Sequence, residues 1–250
     1  MEFEGLKRLV ADMLFDKGAV LDRRRSFQGR PVKEGERPDG LGFRLKLHEK
    51  EPNAPLAPYY FNFRTADNPN PGPLDAQDML FIGIVMCLRA IDAGLQYDAV
   101  AGIPYAGDPI ADAFAHSVHA LKHKQVPVLR LVKEETAEGR RVVGVREYLL
   151  SVTGSSRVLP IDDLCTKANS KLEAIDVLWA SNHQVTDVLV LVDQGRGGAE
   201  ELLRRGYRLH AVFTSRWLFQ YYQATGAILR GALEEILAYL NSDGRPKPAW

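Results

Sequence analysis

From residue 98 onward the chain alternates short apolar runs with amphipathic stretches, and no other feature constrains its fold as much. The runs DAVAGI (98–103), VPVLRLV (126–132), RVLPI (157–161), DVLVLV (187–192) and RLHAVF (208–213) are rich in β-branched residues and almost continuously apolar. A strand with one wet face alternates apolar with polar, so continuous apolar strands imply cover on both faces. Helices laid over both sides of a parallel sheet supply that cover. The intervening segments are readable as those helices. One is predicted over 109–123, opening at Asp108-Pro109 as an N-cap followed by proline, and one over 169–182, opening with Asn169 or Ser170. The fold class is α/β, with a doubly wound parallel sheet.

The first hundred residues differ. After a helix near 4–17, residues 22–58 are dense in charge, Gly and Pro, and only GFRLKLH (42–48) and YYFNFR (59–64) read as strands. We expect 1–64 to form an N-terminal helix and a small hood, 65–240 the core, and 241–250 a polar, proline-broken and flexible tail. The connection 65–76 leads into a helix at 77–92. Its apolar run MLFIGIVMCL (79–88) ends at Arg89, well short of the roughly 20 residues needed to span a membrane. With 32 Lys plus Arg against 32 Asp plus Glu in 250 residues, net charge is zero, so neither a nucleic acid nor a membrane surface is an expected partner. Any anion must be held by a local arrangement of groups. The start MEFEGLKRLV lacks a secretory pattern, and Cys87 and Cys165 have no metal or CxxC spacing, which fits a reducing cytoplasm.

In open α/β sheets ligands sit beyond the carboxyl ends of the strands. After 157–161 comes Asp162-Asp163-Leu164-Cys165-Thr166-Lys167-Ala168-Asn169-Ser170-Lys171, opening a helix. Adjacent acids at a strand end can hold ribose hydroxyls or a hydrated Mg²⁺, and the following loop and helix N-terminus offer N–H groups and hydroxyls to a phosphate. The same segment also reads as a strand end with an ordinary helix cap. After 98–103 comes Pro104-Tyr105-Ala106-Gly107-Asp108-Pro109, whose small residues allow close backbone approach to an anion. Asp108 would repel that anion, or would serve only as a cap.

VLPIDDLCTKANSKLEAIDVL followed by VTDVLVLVDQGRGGAEELLRRGYRLHAVFT resembles the orotate phosphoribosyltransferase family. YDAVAGIPYAGDPIADAFA is similar to that family's diphosphate loop, and GFRLKLH with PYYFNFR to its hood, so the resemblance runs over nearly all of residues 10–215. It implies a type I phosphoribosyltransferase fold of about five parallel strands with a hood, working as a homodimer. It implies transfer of a phosphoribosyl group from phosphoribosyl diphosphate to a pyrimidine base, orotate, in pyrimidine nucleotide synthesis. Mg²⁺ would travel with the diphosphate, with no direct protein ligation of the metal.

Carried over by position, Asp162 and Asp163 hold the ribose, and Thr166, Lys167, Ala168, Asn169 and Ser170 the 5′-phosphate. Tyr105, Ala106, Gly107 and Lys46 meet the diphosphate. Tyr60, Phe61, Thr166, Gln194 and Arg196 surround the base, and Lys133 joins the acid pair as a catalytic group.

The chain departs from the family's mobile-loop pattern. In Val132-Lys133-Glu134-Glu135-Thr136-Ala137-Glu138-Gly139 the family's first arginine is replaced by Val132 and its catalytic lysine, offered across the dimer interface, by Thr136, while Lys133, Glu134 and Gly139 agree with the pattern. Gln194 stands where an arginine holds the base's carboxylate, Ala168 where a glycine lies in the phosphate loop, and Glu138 adds negative charge. Lys133, Arg140, Arg141, Lys167, Lys171 and Arg196 are the cations that could offset the loss. The departures leave two alternatives: a phosphoribosyltransferase for another base, or a silent paralogue that binds phosphoribosyl diphosphate or nucleotide in a regulatory role. Asp112, His116, His119 and His123 share a helix face and read as a polar surface, and Arg23, Arg24 and Arg25 as a solvated run.

Overall fold

A computed structural model describes residues 3–23, 42–45, 48, 51–136, 139–146 and 155–242. The second half delivers the expected strands: β3 (Ala99–Gly102), β4 (Val128–Thr136), β5 (Gly139–Arg146), β6 (Val158–Cys165), β7 (Asp187–Asp193) and β8 (Arg208–Thr214), following a short pair β1 (Val20–Asp22) and β2 (Tyr59–Phe61). Strands β3 to β8 form one sheet in the order β5-β4-β3-β6-β7-β8, parallel throughout except for β5, which returns antiparallel along β4. Strand order reverses between β3 and β6. Connections leaving those two carboxyl ends diverge to opposite faces, which opens a crevice there.

The pleat sorts side chains to the two faces. Val100, Leu159, Ile161, Leu189 and Leu191 pack with helices α1 (Phe3–Asp16), α2 (Ala76–Asp92), α3 (Gly107–Lys122), α6 (Ser215–Ala224) and α7 (Arg230–Asn241). Ala99, Ala101, Val158, Val188 and Val190 pack instead with α4 (Asn169–Ala180) and α5 (Gly198–Arg204). This two-sided burial is why the strands read as apolar throughout. Helix α2 opens on a capping box: Asp75 accepts from the Gln77 and Asp78 amides, and Asp78 accepts from the Asp75 amide. Lys17 clamps both carboxylates, at 2.6 and 3.0 Å, tying the end of α1 to the start of α2. Further along α2, a Cβ at Gly83 would collide with the Ala113 carbonyl of α3, so the two helices cross in close contact.

Strand β2 pairs antiparallel with β1 and lays Tyr59 and Phe61 into an aromatic cluster with Phe219 of α6 and Tyr239 of α7. One edge of the sheet is β8, where Arg89 of α2 donates from Nε to the Ala211 carbonyl at 2.9 Å.

Several sequence expectations are corrected. Of 42–48 only a single bridge, Phe43 to Ala57, is present among the described residues. The stretch compared with a mobile loop is the arm of a hairpin, with β4 running to Thr136, which pairs with Gly139. Its valines and Thr136 sustain a ladder that its charged residues hid. Helix α3 begins at Gly107 behind Ala106 with no side-chain cap, so Asp108 lies inside the first turn. Helix α4 begins at Asn169 behind Ala168, also without a side-chain cap. Helices α6 and α7 had no counterpart in the sequence reading. Residues 243–250 of the expected tail lie outside the described residues.

Candidate functional site

The crevice between β3 and β6 is floored by a short turn at 103–107. The Ile103 amide donates to the Ile161 carbonyl of β6 and the Gly107 amide to the Ile103 carbonyl, each at 2.9 Å. A Cβ on Gly107 would strike the Ile161 carbonyl and come within 3.3 Å of Asp162, so only glycine lets the turn close against β6. The Pro104–Tyr105 peptide is cis. Tyr105 is exposed and its carbonyl accepts from Asn68 Nδ2 at 3.3 Å. The turn therefore presents Tyr105, Ala106 and Gly107 at the first turn of a 16-residue helix, where amides and the helix dipole favour an anion.

Opposite stands the acid pair, inside the last half of β6 rather than in the loop behind it. Asp162 is 5 % exposed. Its Oδ1 accepts the Asp163 amide at 2.9 Å and its Oδ2 the Lys171 ammonium at 2.5 Å. Asp163 is half-buried, its Oδ1 accepting the Leu164 amide at 2.7 Å. Burial, with the charge of Asp162 beside it, pushes the Asp163 carboxyl well above the usual carboxylate range; Lys171 and Arg64 oppose the shift. Arg64 follows β2, so a cation from the hood faces the acid pair.

Beyond Cys165 the chain turns through Thr166 and Lys167 into α4. Ala168 holds the left-handed conformation, φ 63°, that glycine takes at little cost. The buried Cys165 thiol accepts the Ala168 amide, and burial raises its pKa to about 11. Cys165 is thus an interior wedge under the turn, not part of a polar loop. Thr166 and Ser170 are half-buried, Lys167 and Asn169 exposed, around the N-terminus of the 12-residue α4. Lys171, counted in sequence among cations available to a ligand, is 4 % exposed and bonded to Asp162, the Leu164 carbonyl and Ser170 Oγ.

The end of β7 closes the third side. The Gln194 amide donates to the Cys165 carbonyl at 2.9 Å. Its side-chain Oε1 accepts the Tyr59 hydroxyl at 3.3 Å. Arg196 is 8 % exposed, its guanidinium 5.6 Å from the Tyr239 ring. The β2 alternation divides the expected base contacts: Tyr60 is half-buried and stacks on Phe43, whereas Phe61 lies in the aromatic core against Phe63 and Phe219. Tyr59, on the face of Phe61, is the residue of this strand that reaches Gln194.

Asp108 carries charge at the crevice wall. Its Oδ1 lies 3.7 Å from Arg130, which is engaged by Asp112 at 2.6 and 2.8 Å. Burial pushes the Asp108 carboxyl up to about 6, with Asp112 and Asp162 adding to the shift and Arg130 opposing it. Asp112 is thus an ion-pair partner of β4. Among the described residues no group of three or more His, Cys, Asp or Glu side chains is placed to hold a metal ion. Lys133 is half-buried on β4 beside Val142 of β5. Arg23 pairs with Glu235, and Lys46, Arg24, Arg25 and Glu138 lie outside the described residues. Sequence reasoning missed Arg64, Tyr59, Arg130 and the inward placement of Lys171. The strand pattern YYFNFR already carried the first two.

No family model matches the chain. The orotate phosphoribosyltransferase of Nostoc sp. is 34% identical over 155 residues, 61% of this chain and 71% of that protein. The orotate phosphoribosyltransferase of Synechocystis sp. is 30% identical over 152 residues, 60% of this chain and 72% of that protein. Among solved structures, the orotate phosphoribosyltransferase of Francisella tularensis superposes with a TM-score of 0.59, covering 92% of this chain and 96% of that one at 14% identity, a likeness of fold.

Proposed function

This chain belongs to the orotate phosphoribosyltransferase family, and from that premise we propose that it joins orotate to the phosphoribosyl group of phosphoribosyl diphosphate, releasing diphosphate. The observation that supports this best is the strand-order reversal at β3 and β6, where two helix N-termini flank a half-buried carboxylate. One N-terminus meets the 5′-phosphate through Thr166 to Ser170, the other the diphosphate through Tyr105 to Gly107. The ribose hydroxyls lie between them, at the end of β6 that carries the acid pair. That spacing holds both ends of the sugar phosphate while C1 is attacked from the β7 side, where Gln194 and Arg196 receive the base.

Charge builds on the departing diphosphate as its bond to C1 breaks, and cations or N–H groups must meet it there. Arg64 from the hood and the α3 amides are the groups near that end of the crevice, with Lys133 on the adjacent hairpin. Mg²⁺ bound to the diphosphate would neutralise part of the developing charge. A magnesium ion keeps most of its water and substrate-oxygen ligands, which suits one delivered with the diphosphate.

With Val132 and Thr136 at two positions of the family's loop cations, turnover should be about a hundredfold or more below that of a loop carrying both. The test is to mix purified protein with orotate, phosphoribosyl diphosphate and Mg²⁺ and follow orotate absorbance. Slow, Mg²⁺-dependent loss that disappears in Asp163→Asn supports the transfer; binding of phosphoribosyl diphosphate without turnover would overturn it.

We further propose a homodimer. Leu80, Phe81 and Ile91 are exposed on α2, and the half-buried Ile84 and Leu88 complete an apolar stripe at helical spacing that a second copy would cover. No helix of the described residues is long and apolar enough to cross a membrane. A reducing, cytoplasmic setting is proposed on the two free and buried cysteines, Cys87 and Cys165.

A further inference from the structure

Lys171 is fully enclosed at the second position behind the start of α4, where an exposed helical surface would be the ordinary place for a lysine. Among the described residues its ammonium bonds to groups of the crevice: the Asp162 carboxylate, the Leu164 carbonyl and Ser170 Oγ. The β6 pleat explains the geometry. Val158 faces α4 and Leu159 and Ile161 face the opposite helices, so by alternation Asp162 falls on the α4 side and Asp163 on the other. Lys171 therefore reaches one acid of the pair directly. Asp162 has one oxygen on Lys171 and one on the Asp163 amide. Asp163 has one oxygen on the Leu164 amide and is the more exposed of the two.

We infer that Lys171 is a positioning residue that converts Asp162 into an internal support and leaves Asp163 as the one carboxylate offered to the ribose of phosphoribosyl diphosphate. Two unpaired carboxylates at the end of β6 would repel a multiply charged ligand. The buried ammonium cancels one of them from beneath, without occupying the ligand's space. The pair is thereby divided into a support and a contact, although the two residues are adjacent and chemically identical. This assignment rests on the phosphoribosyl transfer proposed above and specifies which acid performs it.

The test is calorimetric binding of phosphoribosyl diphosphate with Mg²⁺ to the full chain, with orotate turnover measured separately. Lys171→Met should weaken binding about tenfold or more, because it leaves Asp162 buried, charged and unpaired. In turnover it should raise KM for phosphoribosyl diphosphate and leave KM for orotate unchanged, a selectivity that a purely structural lysine would not produce. The double variant Asp162→Asn with Lys171→Met removes both charges and keeps an oxygen for the Asp163 amide, so its affinity should return to within about threefold of the unaltered protein. That variant carries the test if Lys171→Met alone fails to fold. Asp163→Asn should lose about tenfold or more in either background. A double variant that binds as weakly as Asp163→Asn would overturn the assignment, since Asp162 would then be a ligand itself. No binding by the unaltered protein would overturn both the assignment and the transfer; binding without turnover would overturn the transfer alone.

Discussion

The two flanks of the crevice are built on different terms. On the β6–α4 side almost every polar atom is tied to another part of the site: Asp162 to Lys171, Cys165 to the Ala168 and Gln194 backbones, Gln194 to Tyr59. On the β4–β5 side a hairpin projects from the sheet edge, anchored to α4 by the Val142 amide donating to Glu173 at 3.3 Å. Holding a sugar phosphate in the ground state calls for rigid, pre-bonded donors. Stabilising a leaving group calls for cations delivered at the moment of bond cleavage. In the proposed transfer the first flank anchors and the second delivers charge, and the second lacks the family's cations at Val132 and Thr136, so ligand affinity and turnover should respond to mutation separately.

The largest expected effect is at Asp163. Asp163→Asn should lower kcat/KM for nucleotide formation from orotate by about 10²–10³-fold in an absorbance assay, because it removes the proposed ribose contact. Thr136→Lys probes the other flank and should raise kcat about tenfold with little change in binding of phosphoribosyl diphosphate; equal gains in affinity would show that the flanks are not separable. Gly107→Ala pushes a methyl into the Ile161 carbonyl and should weaken phosphoribosyl diphosphate binding about tenfold by calorimetry while orotate affinity is kept.

Asp108→Asn is the smallest and concerns stability. The native carboxyl, raised to about 6, binds its proton more tightly than the unfolded chain's carboxyl near 4. Its stabilising contribution is full below about pH 4 and is lost as pH rises through about 6. Urea unfolding should therefore find Asp108→Asn more stable by up to about 2 kcal/mol at pH 8, a difference that fades to nothing below about pH 4.

The core was legible because burial on both faces writes an unbroken apolar run, as at DVLVLV, and because strand order then places the ligand crevice. The acid pair was legible as chemistry but not as structure. Two aspartates read as the start of a loop, whereas Lys171 and neighbouring amides satisfy them well enough to remain in β6. Nothing local marks Lys171 itself, since its inward direction is set by the distance from α4 to β6. Asp108-Pro109 misled in the opposite way, the local capping signal being overridden by the demand that Gly107 press on Ile161. The hairpin was hidden because its strands carry charge on a sheet edge, where water solvates what a central strand would have to bury.

One contact far from the crevice bears on how the protein behaves when crowded. β8 presents the last open row of backbone groups on its side of the sheet, and the Arg89 guanidinium already fills the Ala211 acceptor. A foreign strand docking there would have to displace a charged donor before its first ladder bond formed. Concentrated solutions should thus be guarded on that border against sheet-extending aggregation, and Arg89→Leu should hasten fibril-type precipitation on heating, read by light scattering.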